Sequence, residues 1–482
     1  MTSKRRYEAV IGLEVHVQLQ TETKLFCACR NEYGAEPNTN VCEVCTGQPG
    51  VLPVLNERAL ELAVKAGLAL GCEIADWTRF DRKSYFYPDL PKGYQISQFD
   101  RPINGRGGIE IEGDDGQPRR IAITRAHLEE DAGKTIHPEG KTFSLVDLNR
   151  TGIPLLEIVS DPELRSPAEA YRYLVALKRI LRFAQVSTCD MEKGSLRCDA
   201  NISVRPSHDE NLGTRTEIKN LNSFRNVERA LAYEIERQIT VLAEGGQIVQ
   251  ETRTWLEQEE RTHGLRSKEE SRDYRYFPDP DLVAIPIAKE WVDKILDTLP
   301  EMPAGRLRRY VDELGLTQKA AAVLASEPET SDFFERCVAR GKAQPAEVGK
   351  FISGPLLRLA KDTGVPVDQL SITPRNLVKL VRMVQNGELS GQAARKVLPA
   401  MAESGASPSD VVKELGLAQL SDPKELASII EKVIASSEKG VTAYRHGKKA
   451  ALNSLIGKVM KMTKGKANPN LVKKLLQEQL GG

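Results

Sequence analysis

"GLEVHVQL", residues 12–19, decides how the first half of the chain is read. Leu13, Val15, Val17 and Leu19 alternate with Glu14, His16 and Gln18. Strict alternation over this length makes a half-buried β-strand. One face of that strand is core. The other carries a carboxylate and an imidazole two residues apart, hence side by side on one face. A polar face of this kind looks either at water, as in many antiparallel sheets, or at a metal or phosphate.

The same texture runs outward from this strand. Short alternating or apolar runs recur: "GGIEIEG", "RRIAITRAHLEED", "FSLVDL", "PLLEIVS", "LRCDANISVRP" and "RTEIKNLN". Turn-forming clusters such as "EGDDGQPRR" separate them. Helical periodicity shows in "ERALELAVKAGLALG" and in "PAEAYRYLVALKRILRFAQ", the second entered through Ser-Pro. Many strands with few crossover helices predict an α+β fold on an antiparallel sheet, not a doubly wound one. Near residue 295 the pattern turns helical throughout, and a small-residue cluster at 404–409 reads as a linker. The expected domains are 1–293, 294–405 and 406–482.

Composition narrows the function classes. Across 482 residues the formal net charge is +1, so no global field favours nucleic acid, and a basic patch has to be local. No apolar run approaches the ~18 residues of a membrane span. The opening "MTSKRRYEAV" has no signal-peptide core. A cytoplasmic protein without a membrane partner is expected. Eight cysteines in a chain this long do not make a disulfide scaffold, and clustered ones suggest metal.

Cys27 and Cys29 in "CAC" and Cys42 and Cys45 in "CEVC" are two close pairs separated by a short loop. Such pairs close a tetrahedral four-sulfur Zn²⁺ site. With every coordination position filled by protein, that zinc is structural. Cys72, Cys189, Cys198 and Cys337 are scattered and read as small buried hydrophobes.

The acidic residues form a second set. "RAHLEEDAGK" supplies His127, Glu129, Glu130 and Asp131, and Glu157 interrupts the apolar run "PLLEIVS". "MEKGSLRCDANISV" carries Glu192 and Asp199, and "TEIKNLNS" carries Glu217 and Lys219. Taken singly, each is an ordinary salt bridge or solvated group. Together with Glu14 and His16 they place acids on several strands of one sheet. Converging carboxylates need a cation between them, and hard oxygen ligands suit Mg²⁺. Mg²⁺ suggests a nucleoside triphosphate. The chain has no Walker A motif, and "GRGG" near 105 lacks the third glycine of a dinucleotide loop. Candidate phosphate ligands are Arg82, Lys83, Arg150, Arg197, Arg272 and Arg275, with Glu192, Asp199 and Glu217 beside them.

From Val441 to Lys474 the chain has nine Lys or Arg and no acid. Leu452, Leu455, Ile456 and Val459 recur at helical spacing, which makes amphipathic helices with a basic outer face. Arg445, Lys448, Lys449, Lys458, Lys461, Lys464 and Lys466 are the candidate nucleic-acid contacts. Few aromatics accompany them, so phosphate contact is expected more than base stacking.

The series "IGLEVHVQL", "GAEPN", "PGVLPVLN", "DRKSYFYPDLPKGYQISQ", "LEEDAGK", "LVDLNRTGIPLLEIVS", "GSLRCDANISVRP", "EIKNLNSF" and "DYRYFPDPDL" resembles the GatB family over essentially the whole chain. These are B subunits of bacterial aspartyl/glutamyl-tRNA amidotransferases. The resemblance implies a cradle domain of glutamine-synthetase-like kind, a helical domain and a YqeY-like tail. It implies ATP-dependent phosphorylation of the side-chain carboxylate of misacylated Glu-tRNA(Gln) and/or Asp-tRNA(Asn), then amidation by ammonia. A glutaminase, the A subunit of the complex, would deliver that ammonia, and a small C subunit would wrap both. It also implies that Glu14 and His16 meet Glu129, Glu130 and Glu157 around Mg²⁺ in the cradle. A noncatalytic tRNA-binding scaffold is the alternative, though a scaffold does not need an acidic strand face. A glutamine-hydrolysing amidase fails for want of a nucleophile.

Overall fold

The computed structural model describes residues 7–209, 211–265, 274–417, 423–446, 448, 450–463, 467 and 469–481. The chain divides into two compact units, Met1–Met302 and Pro303–Gly482.

The first unit is built on one large sheet. Its strands are β1 (Tyr7–Gln18), β2 (Asp81–Ser84), β3 (Tyr94–Ser97), β4 (Gly107–Glu112), β5 (Pro118–Glu130) and β6 (Pro154–Ser160). β7 (Leu196–Pro206), β8 (Thr216–Lys219), β9 (Glu251–Leu256), β10 (Arg261–Gly264) and β11 (Arg275–Pro278) complete it. The spatial order is β10-β9-β8-β7-β1-β6-β5-β3-β2-β11, with β4 on the outer half of β5. All these pairs are antiparallel except β8–β9. A parallel pair needs a crossover, and here a helix, Phe224–Ala243, supplies it. "FSLVDL" lies outside the main sheet: Leu145–Asp147 pairs only with Lys134–Ile136.

β1 is central, with β7 on one side and β6 on the other. Its apolar residues Ile11, Leu13, Val15 and Val17 are buried. Three helices pack over that face: α1 (Glu57–Ala69), α2 (Pro167–Phe183) and α3 (Phe224–Ala243). Ser166 caps α2 by accepting the Glu169 N–H, with Pro167 next, as the Ser-Pro signal predicts. Leu62, Val64, Tyr173, Leu174, Leu177, Val227 and Leu231 join the strand residues in one core. Each fully buried Leu or Val contributes roughly 1.5–3 kcal/mol. A one-residue slip of β1 would turn Glu14 and His16 into that core, so the register is firmly set. The helix Lys289–Asp297 belongs to this core as well, through Ile295, Trp291 and Val292.

The second unit is helical from Pro303 to Leu480. It has two hydrophobic clusters, one from Tyr310 to Val412 and one from Leu426 to Leu480. The architecture is therefore α+β on an antiparallel-dominated sheet, followed by helices. Among the described residues no helix is long and apolar enough to cross a membrane.

Candidate active site

Register brings the polar residues of four strands into one transverse row. His16 sits opposite Arg197 on β7 and Glu157 on β6, and Glu157 sits opposite His127 on β5. Glu129 lies two residues beyond His127, on the same face. His16 Nε2 is 3.3 Å from Glu157 Oε2 and 3.6 Å from Glu129 Oε1. His127 Nε2 is 3.7 Å from Glu157 Oε2. One ligand atom each from His16, Glu129 and Glu157 lies within 4.8 Å of the others.

The electrostatics of this group are unbalanced. Burial opposes the charged form of His16, yet the hydrogen bond to Glu157 and the charges of Glu129 and Glu157 hold its pKa at about 9. His127 is driven by burial down to about 4 and stays neutral. Burial and then the charge of Glu157 push Glu129 up to about 7. Glu157 resists its own burial because His16 hydrogen-bonds it, and its pKa falls below the usual range. Lys83 on β2 resists burial through the charge of Glu129 and lies above its ordinary pKa. A proton held between two converging carboxylates occupies the place a cation would take. Two carboxylates and one imidazole fit a divalent cation and leave several positions for water or phosphate oxygens.

The other candidate residues fall around this group unevenly. Glu14 accepts a hydrogen bond from Asn201 Nδ2 at 2.8 Å, and burial followed by Glu157 and Glu217 raises its pKa. Asp199 and Glu217 both pair with Lys219, at 2.7 and 2.8 Å. Asp131 binds Arg197 at 2.7 Å, Arg150 at 3.3 Å and the Gln18 amide at 3.2 Å. Glu130 does not join the His16–Glu129–Glu157 group. The alternation that aims Glu129 at the row aims Glu130 away, where it pairs with buried Lys92 and accepts the Ile96 N–H. Arg82 is likewise out of reach of the row. It is bound to Asp279 at 2.9 Å and Asp281 at 2.8 Å, stacked over Tyr94. Glu192 is exposed in the turn before β7, and Arg275 is exposed on edge strand β11. Arg272 lies outside the described residues. The role of Asp131 as an anchor for both arginines was legible in parity, since His127, Glu129 and Asp131 share one.

The four cysteines meet in the loop after β1. Cys27 and Cys29 come first, and Cys42 and Cys45 flank the start of the short helix Glu43–Thr46. Their Sγ atoms lie within 4.8 Å of one another, against about 3.8 Å for the edge of a tetrahedron with ~2.3 Å zinc–sulfur bonds. Hydrogen bonding from the Cys27 thiol drops the Cys45 pKa to about 4, and burial lifts Cys29 to about 11. The cluster is one that can hold a metal. Asparagines tie the loop to residues 146–149. Asn38 donates to Asp147 and Val146 and accepts from the Leu148 N–H, and Asn149 Oδ1 accepts the Asn40 N–H at 2.8 Å. The remaining cysteines, Cys72, Cys189, Cys198 and Cys337, are buried.

In the second unit, helices Glu438–Arg445, Ala450–Met462 and Pro469–Leu480 pack through Val441, Leu452, Leu455, Val459, Val472 and Leu476. Arg445, Lys448, Lys458 and Lys461 are exposed. Lys449, Lys464 and Lys466 lie outside the described residues.

Residues 9–293 match the family model described as the GatB/GatE catalytic domain, and residues 332–480 match one described as the GatB domain. Curated relatives share the full length. The aspartyl/glutamyl-tRNA(Asn/Gln) amidotransferase B subunit of Thermoanaerobacter pseudethanolicus is 52% identical over 475 residues, covering 98% of this chain and 99% of that protein. That of Carboxydothermus hydrogenoformans is 50% identical over 479 residues, 99% of each. That of Brevibacillus brevis is 49% identical over 475 residues, 98% of this chain and 99% of that protein. A full-length match at this identity, on a sheet that carries the part-buried acidic row, means that the chain belongs to the GatB family of tRNA amidotransferase B subunits.

Proposed function

We propose that this chain is the component that converts misacylated Glu-tRNA(Gln), Asp-tRNA(Asn) or both into the amidated form, using ATP and ammonia. The single observation that carries this reading is the part-buried His16–Glu129–Glu157 group flanked by Lys83 and Arg197. A carboxylate is a poor acyl donor. In the proposed sequence its oxygen attacks the terminal phosphorus of ATP and ADP leaves. Ammonia then attacks the acyl carbon, phosphate leaves, and the nitrogen gives up a proton. The first step needs positioning and charge stabilisation. His16, Glu129 and Glu157 would hold Mg²⁺, which supplies charge neutralisation at the triphosphate. Lys83 and Arg197 line the same face with fixed positive charge. Glu14, half-buried with a raised pKa and two residues from His16 on the same strand, would accept the proton from nitrogen.

The names of the relatives, B subunits of a tRNA amidotransferase, support a multi-subunit complex; in this reading a glutaminase would provide ammonia as the A subunit and a small C subunit would join both. The basic helices of the second unit would bind the tRNA backbone. Zn²⁺ on Cys27, Cys29, Cys42 and Cys45 would be structural. A cytoplasmic location fits a tRNA substrate. The scaffold alternative leaves the buried carboxylates of the sheet without a purpose.

The test is ATP hydrolysis and amidation by the assembled complex, with and without each misacylated tRNA. His16→Ala should abolish ATP-dependent amidation and leave glutamine hydrolysis by the partner glutaminase intact. Amidation at the wild-type rate by His16→Ala would return this strand face to ordinary solvated surface.

A further inference from the structure

Lys24 is fully buried, although lysine is among the residues least often buried. Its Nζ donates to the Asn40 carbonyl at 2.7 Å and lies 3.7 Å from Cys45 Sγ. Backbone bonds on both sides fix it: the Lys24 N–H donates to the Cys29 carbonyl at 2.9 Å, and its own carbonyl accepts from Asn56 Nδ2 at 3.2 Å. The stem passes Gly152, where an added Cβ would meet Lys24 Cδ at 3.7 Å and Cys45 Cβ at 3.5 Å. Glu130 also borders Gly152, but it is paired with Lys92. Among the described residues Lys24 forms no ion pair with a carboxylate.

A buried ammonium without a counter-charge is costly. The metal-free cluster supplies a single charge, on Cys45, which hydrogen bonding from Cys27 and then the nearby Lys24 keep ionised. Four thiolates around a divalent cation supply more, because the assembly carries a net charge of about two minus. We propose that Lys24 is the counter-cation of the four-cysteine metal site: its ammonium donates to the Cys45 sulfur and offsets the net negative charge of four thiolates on one divalent ion. Lys24 is thus a positioning residue that sets metal affinity. The inference rests on the zinc reading of the cysteine loop. It explains why a lysine is tolerated under this loop, where its ammonium also donates to the carbonyl of Asn40, the residue whose N–H holds the loop to Asn149. Groups bonded to metal ligands commonly change affinity by about 10–100-fold when removed.

The experiment measures zinc affinity of the full-length chain by competition with a colorimetric chelator. Lys24→Met should bind zinc at least tenfold more weakly than wild type, and Lys24→Arg within about threefold, because it keeps the charge. Lys24→Met binding within threefold of wild type overturns the proposal. So does an equal loss in both variants, which would mean that stem packing matters and charge does not. A wild-type chain that binds no zinc defeats the zinc reading itself and is distinguishable from either. Should Lys24→Met fail to fold by circular dichroism, acetylation of the wild-type chain, mapped by mass spectrometry, decides the matter. Lys24 should be protected with zinc bound and modified after chelation; equal protection in both states overturns the proposal.

Discussion

Replacing Lys92 by Met should destabilise the first unit strongly without touching the metal-ligand row. The Lys92 and Glu130 side chains are 5% and 4% exposed, and the lysine is the carboxylate's ion-pair partner. Glu130 keeps only the Ile96 N–H bond, at 3.1 Å, once the ammonium is gone. Breaking a buried pair in this way costs roughly 3–5 kcal/mol, because a carboxylate stays buried without its counter-charge. Met preserves most of the stem, which matters because Lys92 Cγ fills the space beside Gly47. With an unfolding entropy of about 2.1 cal/mol/K per residue over roughly 300 residues, the loss corresponds to a fall in Tm of about 5–8 °C. Differential scanning calorimetry of the full chain reads it directly. The Lys92→Met, Glu130→Gln double variant should recover most of the loss, since the uncompensated charge is removed with its partner. A Tm within 1 °C of wild type for Lys92→Met, or a double variant no better than the single, refutes the reasoning. The same ion pair separates two assignments of the metal site. Glu130→Gln should leave Mn²⁺ affinity unchanged, and Glu129→Gln should weaken it; equal weakening would restore Glu130 to the ligand set.

Two further outcomes are expected. Metal-free protein should lose stability between about pH 6.5 and 9: Glu129 and His16 have folded pKa values above their ordinary 4.5 and 6.5, at about 7 and about 9, while His127, lowered to about 4, works the other way only below its ordinary 6.5. Groups raised in this way contribute stability fully present below the ordinary value and lost as pH rises through the folded one. Mn²⁺ should bind more tightly over the same range as those protons leave, and calorimetry showing a flat or rising stability, or a pH-independent affinity, would contradict this. In the tail, reversing Lys448, Lys458 and Lys461 to Glu should weaken tRNA binding and flatten the dependence of log affinity on log salt by up to about 3; filter-binding curves unchanged at low and high salt would exclude this surface.

The alternation at residues 12–19 was enough to read β1; the shift to helical period near 295 announced helices, but the first of them, Lys289–Asp297, packs on the first unit's core, and the second unit begins at Pro303. Parity also held the answer for the acids, because in "HLEED" the residues His127, Glu129 and Asp131 share one face and Glu130 takes the other. Reading "EED" as one acidic cluster concealed this. Arg82 misleads for a different reason: its partners Asp279 and Asp281 are nearly two hundred residues away along the chain, and no local pattern announces such a pairing. The buried state of Lys24 was illegible too, since it depends on a loop closing over it.

The asparagine ties between the cysteine loop and residues 146–149 have a consequence for how replaceable the metal is. Asn149 precedes Arg150, whose guanidinium holds Asp131, which in turn holds Arg197 at the end of the row. A metal on the four cysteines would reach the row in part through the position of Asn38 and Asn40. Any other device that held those two residues in place, whether a disulfide or a packed apolar plug, would serve the same row. What any such device has to preserve is the loop geometry fixed through Asn38 and Asn40, not the identity of the staple.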